Sequence, residues 1–94
     1  MHLEKNLAQL NHRIGKARDD LHIIEEQLLF QMDVVEDAKT RMLVSETPLS
    51  ERDHRDARDD LQRLVRQREH ALADIAELQS EQDRLLDRML RSKT

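Results

Sequence analysis

Six arginines, Arg52, Arg55, Arg58, Arg63, Arg66 and Arg68, crowd one stretch of the chain. Guanidinium groups at that density could clasp a phosphate or an acidic partner, because each presents a fork of donors that matches two anionic oxygens. Five acids, Glu51, Asp53, Asp56, Asp59 and Asp60, are threaded among them, and their spacing offers a plainer reading. Glu51, Arg55, Asp59 and Arg63 alternate in sign every four residues, and Arg52 stands four before Asp56. On a helix such neighbours pair, each pair contributing about 0.2–0.5 kcal/mol. The spacing therefore favours a solvated, ion-paired helix face over an anion site.

Histidines are the other residues with chemical potential. His22 with Glu26, and His70 with Asp74, have the four-residue spacing that lets a helix present two metal ligands. Two ligands do not make a site, since zinc takes three or four. Glu51-x-x-His54 is one half of the pattern used by di-iron helical bundles, which require a second inward-facing copy and two further glutamates. The other candidate, Asp19-x-x-His22, lies off the apolar seam described below. No metal and no cofactor is expected. The chain shows no nucleophile–base pair, no glycine-rich phosphate loop and no Ser/His/Asp constellation. Two long helices also offer no deep pocket of the kind catalysis occupies, so an enzyme is not expected.

The elements that must position these residues are read from apolar spacing. From Leu3 to Met42, apolar residues alternate at three and four: Leu3, Leu7, Leu10, Ile14, Ala17, Leu21, Ile24, Leu28, Gln31, Val35, Ala38 and Met42. Eleven of the twelve are apolar, which is a heptad seam held for nearly six heptads and predicts a long coiled-coil helix over about 3–44. Leu7, Ile14, Leu21, Leu28, Val35 and Met42 take heptad position a. The same spacing returns at His54, Ala57, Leu61, Leu64, Arg68, Ala71, Ile75, Leu78, Gln82, Leu85 and Met89, predicting a second helix over about 48–91. Between them, Thr47 can cap the second helix and Pro48 suits its first position, where a missing N–H costs nothing. The tip is then about 45–47, and so short a connection makes the helices antiparallel neighbours.

The expected fold is all-α: two long helices forming an antiparallel coiled-coil hairpin, dimerising into a four-helix arrangement. A register that sets Leu21 against Ala71, Ala17 against Ile75 and Val35 against Ala57, with Leu28 against Leu64, puts large residues opposite small ones in several layers. A shifted register would set Gln31 against Arg68. Gln31, Arg68 and Gln82 are the seam residues expected to fix register or partner choice, as polar groups in a seam do at some cost in stability. A buried unpaired guanidinium is costly, so Arg68 should reach solvent or find Gln31 or Glu25.

Composition agrees with this architecture. With 94 residues there is room for one domain, 1–94. One Phe, no Trp and no Tyr, with 38% charged residues, suits helices with a narrow buried stripe better than a mixed globular core. No cysteine is present, which excludes disulfides and thiolate chemistry. The net charge of −4 is well mixed and shows no basic footprint for nucleic acid. The longest apolar run is Leu28-Leu29-Phe30, far short of the ~20 residues that span a bilayer. The N-terminus lacks a basic-then-apolar signal, and a cytoplasmic location is expected. Arginine and aspartate used in preference to lysine point to a bacterial source.

The surplus apolar residues carry the functional expectation. Ile23 and Phe30 at c and Val34 at g lie on one flank of the first helix, and Val65, Leu72 and Leu86 at e on one flank of the second. In an antiparallel pair g faces g and e faces e, so a hairpin alone exposes both flanks. Contiguous exposed apolar surface marks interfaces. The chain is expected to be a non-enzymatic interaction module, an adaptor or regulator, with one flank in a homodimer and the other on a protein partner. Dimerisation that covers both flanks, giving a purely structural self-assembling coiled coil, is the alternative. A sensor clasping an anionic ligand through the arginines of the second helix is a further one. The acidic tip, with Glu46, Glu51 and Asp53, resembles that of the transcript-cleavage factors of the Gre type, which insert such a tip into RNA polymerase. The resemblance covers the hairpin shape and the acidic loop, and it implies transcription machinery as a candidate partner.

Overall fold

The computed structural model describes residues 2–92. Helix α1 runs His2–Ser45 and helix α2 runs Pro48–Ser92. They pack against each other as an antiparallel hairpin, with no strand among the described residues. Among those residues no helix is long and apolar enough to cross a membrane.

The heptad reading accounts for the packing. All twelve seam positions of α1 and all eleven of α2 are buried or half-buried. Leu10, Ile14, Ala38, Ala57 and Ile75 are the buried apolar residues. Gly15 interrupts nothing: no atom lies within 4 Å of where its Cβ would stand.

The turn is tighter than 45–47. Ser45 completes the last turn of α1, and the connection is Glu46 and Thr47 alone. Two residues suffice because Glu46 takes a left-handed conformation (φ 49°) and its N–H bonds the Met42 carbonyl at 2.9 Å, closing the last turn as an αL cap. Thr47 caps α2 as expected, and it does so reciprocally with a residue the spacing did not single out. The Ser50 N–H donates to Thr47 Oγ1 at 3.1 Å, and the Thr47 N–H donates to Ser50 Oγ at 3.1 Å. This is the capping-box arrangement with serine where glutamate or glutamine is usual. The Ser50 hydroxyl also donates to the Thr47 carbonyl at 2.9 Å, which leaves this buried side chain satisfied.

Two compact units divide the chain. In the first, residues 2–21 pair with residues 70–92, and its buried apolar side chains are Leu10, Ile14 and Ile75. In the second, the two arms of residues 22–69 pair with each other, and its buried apolar side chains are the small residues Ala38 and Ala57. The first unit has one polar seam residue, Gln82; the second has Gln31, His54 and Arg68.

Candidate functional site

Each of the three polar seam residues singled out for register has a partner on the opposite helix. In the second unit the Gln31 amide donates to the Ala57 carbonyl at 3.0 Å. In the same unit Arg68 Nε donates to Glu25 Oε2 at 3.5 Å, with the two side chains 43% and 44% exposed. The guanidinium has both found its carboxylate and kept contact with water, so the seam carries no buried unpaired charge. In the first unit the Gln82 amide donates to Asn11 Oδ1 at 2.6 Å. Arg68 with Glu25, and Gln82 with Asn11, each lie one residue from the register that sets Leu21 against Ala71. Arg68 does not face Gln31, so the shifted register is not adopted. Asn11 was not foreseen, because an e position pairing diagonally with an a position is visible only once the helix offset is known.

The arginine-rich start of α2 behaves as a solvated face, but not through the expected ladder. The ion pair there is Arg63 with Asp60 at 3.4 Å, three residues apart, rather than Arg63 with Asp59. No ion pair joins Glu51 to Arg55, Arg55 to Asp59 or Arg52 to Asp56. Exposed pairs of long side chains gain little in water and lose rotamer freedom, so such ladders need not close. His22 and Glu26 do approach, at 3.3 Å on the surface. No group of three or more His, Asp or Glu converges among the described residues.

The apolar flanks divide between the units. In the second unit Ile23 is 53% exposed and Phe30, the chain's one aromatic, 71%. Phe30 lines a shallow cleft together with Glu26, Gln27, Gln31, Arg63 and Leu64. The helix places Ile23 two turns before it on the same face. Val34, beside the seam at g, is half-buried and contributes less surface than the other two. Of the flank residues expected at e, Val65 lies in this unit and Leu72 and Leu86 in the first, each close to 40% exposed. Met32, Leu49 and Leu90 are further exposed apolar residues that the spacing argument missed. Met32 at e and Leu90 at b continue the flanks that hold Val65 and Leu86 in their respective units, and listing every apolar e and b position would have found them.

One cleft of the first unit has arginines on both helices: Arg13 from α1, with Arg84 and Arg88 from α2, stands over Leu10 and Leu85, and Glu81 is the one acid. Arg84 and Arg88 stand four apart on α2, but Arg13 is distant in sequence and all three lie outside the 52–68 cluster, which is why the sequence did not bring them together. No family model, no curated protein and no solved structure matches the chain.

Proposed function

We propose that the chain is a non-enzymatic, cytoplasmic protein-interaction module, a homodimer that docks a protein partner through the Ile23 and Phe30 flank of its second unit. The observation that carries this reading is the exposure of Phe30. The seam positions of α1 are all buried or half-buried, and the one aromatic stands outside the seam, 71% exposed, lining a cleft together with Leu64. Aromatic anchors of this kind concentrate binding energy at interfaces. Nothing in the fold requires them: replacing a side chain this exposed changes stability little. A regulator or adaptor works by such a surface, and the acidic residues near the tip leave transcription machinery among the candidate partners.

The test is comparative capture. Wild type and the double variant Ile23→Ser, Phe30→Ser are used as bait under identical conditions, with helicity checked by circular dichroism. A protein retained by wild type and lost by an equally helical variant supports the reading. Identical capture by both baits rules out this flank as the docking surface.

A second reading, a sensor of an anionic ligand, is favoured by one observation, the Arg13, Arg84 and Arg88 cleft, rather than by the start of α2. A ligand that binds only the folded chain raises its thermal stability by mass action. No shift with millimolar phosphate or nucleotide would remove it.

A further inference from the structure

The two flanks of the first unit differ in kind. Among the described residues, its g and c positions hold nine Asp, Glu, Lys or Arg residues and no aliphatic side chain, and its e and b positions hold three charged residues, Glu4, Arg18 and Asp83. The exposed large apolar residues of this unit, Leu72, Leu86 and Leu90, all fall at e or b. Exposed Ala76 and Gly15 stand at b, and Gln79 is the uncharged residue between Leu72 and Leu86 at e. Depletion of charge with retention of apolar area is the composition of an interface core.

Charge says which occupant suits it. Over its full span, residues 1–21 and 70–94, the first unit has eight acidic and eight basic residues, so two copies meet there without net repulsion. The second unit has twelve acidic and eight basic residues, the whole of the chain's −4. Self-pairing there would bring two like-charged bodies together. The exposed area of the whole chain accommodates a dimer. The chain exposes 7447 Å², whereas a compact monomer of 11.2 kDa exposes about 5,700 Å². The excess of roughly 1,700 Å² is within the ~1,000–2,500 Å² that each chain of an obligate homodimer buries.

Resting on the docking role proposed above for the apolar flanks, we infer that the e and b face of the first unit, with Leu72, Ala76, Leu86 and Leu90, is covered by the same face of a second copy. The contact is isologous, the commonest closed solution for identical chains. It leaves the Ile23 and Phe30 flank of the second unit free for a different protein.

The test is light scattering coupled to size exclusion over a wide concentration range, with circular dichroism on the same samples. The variants are Ala76→Arg with Leu86→Arg, and separately Ile23→Ser with Phe30→Ser. The expected result is a dimer for wild type and for the serine variant. For the arginine variant, a helical monomer or a dissociation constant raised about 30-fold or more is expected. If the arginine pair lowers helicity, Ala76→Arg alone decides, since that alanine is exposed and the longer side chain meets no core. Wild type monomeric at every concentration overturns the inference while leaving the docking flank of the second unit untouched. An arginine variant that stays as dimeric as wild type also overturns it. Failure of the docking role reads out separately, as equal capture by wild type and the serine variant.

Discussion

The first unit buries Leu10, Ile14 and Ile75 and has one polar seam residue; the second buries alanines and has three. Outside the seam the contrast reverses. The second unit exposes Phe30, Ile23, Met32 and Val65, together with Leu29, Leu43, Val44 and Leu49, and has the chain's net negative charge, whereas the first is neutral and has its exposed leucines on a single flank. One heptad pattern thus serves two purposes. Where the seam is rich the helices are held firmly and the surplus is orderly. Where it is interrupted by Gln31, His54 and Arg68, more apolar surface is turned outward.

The sharpest way to break this contrast is to cut the richer seam. Ile14→Ala should lower unfolding free energy by about 2–5 kcal/mol, as buried aliphatic truncations do, measured by urea denaturation followed by circular dichroism. Phe30→Ala, at 71% exposure, should stay within about 0.5 kcal/mol of wild type. Equal effects at the two sites would erase the distinction between seam and flank. Restoring the poorer seam is the next test. Arg68→Leu exchanges an exposed ion pair worth at most about 1 kcal/mol for a half-buried leucine contributing up to about 1.5–3 kcal/mol. Glu25, at 44% exposure, stays hydrated when left alone. The variant should therefore unfold at higher urea, and a fall in midpoint would mean that the pair with Glu25 is worth more than its exposure implies.

The turn offers two finer tests within the second unit. Thr47→Ala removes the acceptor of the Ser50 N–H and should cost about 1 kcal/mol. Glu46→Gly relieves a left-handed residue that costs an L side chain roughly 1–2 kcal/mol. Part of that gain is offset by the greater freedom of glycine in the unfolded chain, so thermal unfolding should shift upward by the equivalent of several tenths of a kcal/mol. A downward shift would show that the Glu46 side chain has a role beyond filling the turn.

Much of the fold could be read from spacing, because a three–four alternation without a slip leaves one face for each helix to bury. Pro48 with Thr47 marked the start of α2 for an equally local reason. Glu46 escaped notice because glutamate is no signal for a left-handed turn; the two-residue connection forces that conformation on it. Ser50 escaped because the capping box is ordinarily recognised by a longer acidic or amide side chain. The predicted ladder from Glu51 to Arg63 did not close, since sequence gives proximity along a helix but not the rotamers that exposed side chains prefer. The flank residues Ile23, Phe30, Val65, Leu72 and Leu86 were legible as surplus. Their division between a neutral and an acidic unit depended on which segments pair.

The central claim is that the two units do separate work, the first joining copies and the second holding a partner. It is tested most directly by offering the protein captured by wild type to the helical Ala76→Arg, Leu86→Arg chain and measuring affinity by titration calorimetry. The account predicts that this chain, though no longer dimeric, binds the partner through Ile23 and Phe30 with an affinity per site within a few-fold of wild type. Loss of the partner together with the dimer would contradict it, and would mean that the partner recognises the assembled pair.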